Sequence, residues 1–156
     1  MSTVKTWQTR STSSEDTEAL GERVGARLKG GEVIELVSDL GGGKTTFVRG
    51  LVRGAGSTDR VASPTFTISR EYAAPKFTIV HLDFYRLAEA GVIAEELKEF
   101  MGDPGYVVVV EWGDMVADVL PAERLSVELR HTDDESRAIT VYYPANLAYV
   151  AEGARA

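Results

Sequence analysis

Apolar and polar positions fall in blocks along this chain, and the period of the pattern changes from strand-like to helix-like and back. Val33-Ile34-Glu35-Leu36-Val37 is a short apolar run that predicts a buried strand. Tyr106-Val107-Val108-Val109-Val110 is a second, continuous enough to predict a central strand covered on both faces. Phe47, Val48, Leu51 and Val52 recur at helical spacing and predict a helix over 46–53, ended by Gly54 to Gly56. An earlier helix is predicted over 15–28, with Ala19, Leu20, Val24 and Leu28 on one stripe and Gly30-Gly31 closing it. Thr12 with Glu15, and Ser13 with Asp16, both have capping-box spacing. Val4 to Thr9, around Trp7, predicts an opening strand. A loop after Arg60 leads into a strand running toward Tyr72, Ala73-Ala74-Pro75 turns, and Phe77 to Asp83 is another strand. The acidic stretch 88–100 predicts a helix anchored by Val92, Leu97 and Phe100, and Asp103-Pro104-Gly105 a turn. Leu125–Leu129 and Ala138–Tyr143, separated by polar residues, predict a terminal hairpin, with a short helix in the tail after Pro144.

Strands alternating with helices in this order predict an α/β fold. The expected architecture is P-loop NTPase-like, a mostly parallel central sheet flanked by helices with a C-terminal antiparallel hairpin. At 156 residues the expectation is one domain over 1–156. Hydrophobic content of 44% and charged content of 26% suit a soluble protein, and no apolar run approaches a membrane span. Cytoplasm is therefore the expected location. There is no cysteine, and the two histidines stand far apart, which argues against a zinc site. A net charge of −7 argues against an independent grip on nucleic acid, which needs a basic face.

The chemistry begins where the first buried strand ends. Ser38-Asp39-Leu40-Gly41-Gly42-Gly43-Lys44-Thr45-Thr46 stands between that strand and the helix behind it, the context of a nucleotide phosphate loop. Glycines without Cβ let successive backbone N–H groups turn inward as an anion nest, and the helix adds its own N–H groups and positive dipole end. Lys44 can reach the β- and γ-phosphates, and the Thr45 hydroxyl is placed to ligate Mg²⁺. The expected ligand is Mg·ATP. Ser38 occupies a position where the loop pattern has glycine, which costs about 1 kcal/mol if its φ is positive and little if its φ is negative.

Two carboxylates end strands. Asp83 closes 77–83 and Glu111 follows the valine run; ligands of open α/β sheets sit outside such carboxyl ends. Glu111 fits a magnesium ligand and Asp83 a group that positions or polarises the attacking water, although the two roles are exchangeable on sequence alone. Ser63-Pro64-Thr65 reads either as a γ-phosphate-sensing segment or as a strand-entry turn. Trp112 is core or flanks the nucleotide, and its place beside Glu111 favours the latter. His81, inside a strand, reads as a packed side chain rather than a catalytic one.

Taken in order, Asp39-Leu40-Gly41-Gly42-Gly43-Lys44-Thr45-Thr46, Ser63-Pro64-Thr65-Phe66-Thr67, Glu71-Tyr72, His81-Leu82-Asp83-Phe84-Tyr85-Arg86-Leu87 and Glu111-Trp112 resemble the TsaE (YjeE) family. The resemblance implies a small bacterial ATPase of tRNA threonylcarbamoyladenosine synthesis that binds and slowly hydrolyses ATP. It implies Thr45 and Glu111 as magnesium ligands, and it matches Thr12 to Thr17, including Ser14, to a contact with the adenine side. The implied partners are TsaD and TsaB, which modify the adenosine next to the anticodon, so that tRNA is met only through the complex. The alternative reading is a small-molecule P-loop kinase, for which no lid-sized insertion is visible. A GTP switch is weaker still, since Asn146, the one asparagine, has no guanine-reading context.

Overall fold

A computed structural model describes residues 4–38, 43–61, 69–83, 91–111, 120–132 and 136–155, with side chains for all of these except 91–94 and 96. In chain order the elements are β1 (Lys5–Ser11), α1 (Ser14–Gly25), β2 (Val33–Ser38), α2 (Lys44–Gly54), β3 (Ser69–Ala73) and β4 (Thr78–Asp83). They continue with α3 (Gly91–Phe100), β5 (Tyr106–Glu111), β6 (Leu125–His131), β7 (Arg137–Tyr143), a 3₁₀ turn (Ala145–Leu147) and α4 (Ala148–Ala154).

The seven strands form one sheet in the order β1-β7-β6-β2-β5-β4-β3. The four central strands β6, β2, β5 and β4 are parallel, and the outer pairings β1–β7, β7–β6 and β4–β3 are antiparallel. The expectation of a mostly parallel sheet therefore holds for the centre and needs correcting at the edges. The terminal hairpin does form, but β1 adds to it along its whole length, and β3 closes the opposite edge. β3 is joined to β4 by a tight connection, which antiparallel pairing allows and a parallel crossover does not, whereas β1 meets β7 from the far end of the chain.

Side-chain alternation sorts the sheet into two faces. Ile34, Leu36, Ile79, Val107, Val109, Val127 and Ile139 face a large core shared with α1, α2 and α4. Val33, Val80, Leu82, Val108 and Val110 face a smaller one with Leu97 and Phe100 of α3. Burial on both sides is why β5 reads as an uninterrupted valine run.

Ser13 caps α1, its side chain accepting a hydrogen bond from the Asp16 N–H, so one half of the second capping box forms, while the Asp16 carboxylate reaches back to Thr12 rather than to Ser13. The helix ends at Gly25, short of the predicted Leu28. The chain leaves it through tighter bonds from Arg27 N to Val24 O and Leu28 N to Gly25 O, and Leu28 still reaches the core from that turn.

α1 and α2 meet backbone to backbone. A Cβ built on Gly21 would stand 2.2 Å from the Phe47 carbonyl oxygen, and one on Gly25 2.0 Å from that of Leu51. Reciprocally, a Cβ on Gly50 would stand 1.9 Å from the Glu18 carbonyl oxygen, and one on Gly54 2.0 Å from that of Glu22. Two glycines spaced four apart on each helix thus remove the side chains that would hold the axes at the usual 8–10 Å. Gly54, expected to help end α2, is its last residue and part of this contact. The close seam fixes α2 against α1, and with it the start of α2.

Candidate functional site

β2, β4 and β5 are parallel, so their carboxyl ends lie on one edge of the sheet, and α2 starts from that edge. The alternation that puts Ile79 and Val109 under α2 puts His81, Asp83 and Glu111 on the same face. Asp83 and Glu111 are direct register partners at the ends of β4 and β5. Lys44 is the first residue of α2 and is buried, although an ammonium at the positive end of a helix is electrostatically out of place. No acidic residue occupies the first turn of α2. The compensating charge comes from across the sheet: Lys44 Nζ lies 3.8 Å from Glu111 Oε1, with the two side chains 9% and 5% exposed.

Glu111 has a second partner. His81, with no exposed surface, brings Nε2 to 2.5 Å from Glu111 Oε2. A carboxylate only accepts, so the imidazole donates through Nε2–H. Lys44, Glu111 and His81 thus form a line from the head of α2 through the end of β5 into β4. Sequence alone did not join His81 to Glu111, because the separation between them carries no periodic signal; only the β4–β5 register does.

Gly43, immediately before α2, has φ of 96°, a left-handed conformation that a side chain would strain. A Cβ there would lie 3.8 Å from Arg137 Nε and 3.9 Å from Thr17 Cγ2. The head of α2 is therefore flanked by the start of β7 and by α1. Arg137 is a half-buried cation, and nothing in the polar stretch between the two hairpin strands marks it as a neighbour of Gly43. Ser38 belongs to β2 and pairs with Leu129, so its backbone is extended and its replacement of glycine carries no left-handed strain.

Thr45 and Thr46 sit half-buried in the first turn of α2. Asp83 is half-buried beside Glu111. Thr12 is exposed, and both its N–H and its hydroxyl donate to Asp16 Oδ2, at 3.0 and 2.8 Å; Ser14 is the exposed first residue of α1. The chain between them is tied down by Ser11 Oγ, 2.8 Å from the Ser13 carbonyl oxygen and 2.6 Å from Thr17 Oγ1. Gly41, Gly42, Thr65 and Trp112, all candidate nucleotide contacts, lie outside the described residues. Among the described residues no three of His, Asp and Glu gather into a metal cage, and no helix is long and apolar enough to cross a membrane.

The family model described as threonylcarbamoyl adenosine biosynthesis protein TsaE matches residues 11–139. The Bacillus subtilis (strain 168) tRNA threonylcarbamoyladenosine biosynthesis protein TsaE is 38% identical over 133 residues, 84% of this chain and 82% of that protein. The Treponema pallidum (strain Nichols) protein of the same description is 39% identical over 135 residues, 84% of this chain and 96% of that one. The crystal structure of Bacillus subtilis YdiB superposes with a TM-score of 0.80 at 32% identity, covering 97% of this chain and 95% of that one.

Proposed function

This chain belongs to the TsaE family of tRNA threonylcarbamoyladenosine biosynthesis proteins, and from that premise we propose that it is the pathway's accessory ATPase. On this reading it is a cytoplasmic P-loop ATPase that binds Mg·ATP at the head of α2 and hydrolyses it slowly when alone. It works with the TsaD–TsaB pair and meets tRNA only through that pair. The observation that carries the reading is the buried Lys44–Glu111 contact where α2 leaves the sheet edge.

The residues fit the ligand. A lysine and a glycine with positive φ at the start of a helix, behind a parallel strand, suit the recognition of a polyphosphate. Lys44 and the backbone of Gly41, Gly42 and Gly43 hold the phosphates, and Thr46 and Arg137 flank them. The Thr45 hydroxyl and Glu111 carboxylate are hard oxygen donors of the kind magnesium takes alongside phosphate oxygens. Bound magnesium would neutralise charge on the β- and γ-phosphates. Asp83, in register with Glu111, orients the attacking water. Thr65 senses the γ-phosphate, while Thr12, Ser14 and Trp112 border the base. The acidic net charge of −7 fits a protein that docks on a protein complex rather than directly on RNA.

Calorimetry with Mg·ATP, followed by phosphate release with and without TsaD–TsaB, tests the reading. Binding, slow release alone and a change in turnover with the pair are expected. Absence of binding to folded protein overturns it, as does vigorous phosphorylation of a small metabolite that ignores the pair.

A further inference from the structure

His81 stands apart from the rest of β4. Ile79, Val80 and Leu82 are aliphatic and fully buried, as is appropriate for a strand covered on both faces. His81 is equally buried, its ring 6.5 Å from that of Tyr72, and among the described residues its Nδ1 meets no hydrogen-bond partner. A buried nitrogen left in that condition is unfavourable, so a side chain that merely filled volume would do better as leucine or phenylalanine. What the histidine offers in return is at its other end, the 2.5 Å contact of Nε2 with Glu111 Oε2. The opposite carboxylate oxygen, Oε1, is the one turned toward Lys44.

We infer that His81 is a positioning residue that fixes the Glu111 carboxylate, engaging one oxygen so that the other is presented to the head of α2. The inference rests on the proposed role of Glu111 as a magnesium ligand. A glutamate has one more rotatable bond than an aspartate, and its carboxylate can swing away from the site. The Nε2–H bond removes that freedom from inside the sheet, where β4 and β5 are held in register. It also leaves Oε1 available when Lys44 turns to phosphate. Partners of this kind, which orient a ligating group without touching the metal, typically change metal affinity by about 10- to 100-fold.

The test uses Mn²⁺ as a spectroscopic substitute for magnesium, measured by electron paramagnetic resonance on the full chain with ADP. Nucleotide affinity in EDTA and thermal unfolding are measured alongside. His81→Leu should fold, keep its metal-free nucleotide affinity within about two-fold, and weaken Mn²⁺ by about 10- to 100-fold. His81→Gln, whose amide N–H falls near the place of Nε2, should recover most of the loss. His81→Asn, whose amide falls near Nδ1, should not, and this pair carries the test if the leucine variant fails to fold. Unchanged Mn²⁺ affinity in His81→Leu, or equal loss in the glutamine and asparagine variants, overturns the inference. Glu111→Gln separates the two levels: if it leaves Mn²⁺ affinity intact, the metal assignment of Glu111 itself falls, and His81 with it. If only Glu111→Gln matters, His81 alone is refuted.

Discussion

The ammonium of Lys44 lies 3.8 Å from the carboxylate of Glu111, joining the head of α2 to the end of β5 within a buried edge of the sheet. Each residue compensates the other: the lysine would otherwise face the positive end of its own helix, and the glutamate would be a charge buried at a strand terminus. A ligand carrying both phosphate and a divalent cation could take over both halves of this pair, which links the site's electrostatics to its proposed use.

Lys44→Ala should reduce ATP affinity by at least about ten-fold, since a charge-assisted contact of roughly 1.5–3 kcal/mol is lost. Glu111→Gln should behave differently, retaining most metal-free nucleotide affinity while losing Mg²⁺-dependent turnover. Calorimetry and phosphate release on the same preparations separate the two. Equal loss of binding in both variants would refute the division of roles.

Arg137 stands across Gly43 from α1 and supplies a further cation at the loop. Arg137→Ala should weaken ATP by about 1–2 kcal/mol, and its effect should shrink as salt is raised, because the group is only half-buried. Titrations at low and high salt decide this. An unchanged affinity at low salt would confine Arg137 to a structural role.

The α1–α2 seam predicts a loss of stability without new chemistry. Gly50→Ala places a methyl group 1.9 Å from the Glu18 carbonyl oxygen, and backbone cannot yield as a side-chain tip can. The gain in helix propensity, about 1 kcal/mol, should be outweighed. A net destabilisation of about 1–3 kcal/mol is expected, measured by urea unfolding. Gly102→Ala is a useful contrast: nothing lies within 4 Å of the new methyl group, and only the positive φ of 82° resists it.

Asp16 gives the start of α1 a pH dependence. Hydrogen bonds from the Thr12 backbone N–H and then its hydroxyl hold the carboxyl below its ordinary 3.8. A lowered folded-state value means the contribution is present above the unfolded value of 3.8 and disappears as pH falls through the lower folded one. Asp16→Asn should therefore melt below the parent at neutral pH, with the difference closing in that acid window. Thermal melts from neutral pH down to the acid transition would refute this if the gap stayed constant.

The sequence by itself determined the main strands and helices and the place of Lys44 at the start of a helix behind a buried strand. The valine run was legible as β5 because burial on both faces leaves an uninterrupted apolar signature, and α2 because Phe47, Val48, Leu51 and Val52 follow its period. Lys44, Asp83 and Glu111 were legible too, since a parallel sheet must carry its strand ends to one edge. Periodicity says which face a residue occupies but not which neighbour meets it. Hence β1 on β7, the four-glycine seam, Arg137 beside Gly43 and the His81–Glu111 bond were decided only by tertiary structure. Each joins residues distant in the chain through strand register or helix approach, and those are settled by packing the whole core at once.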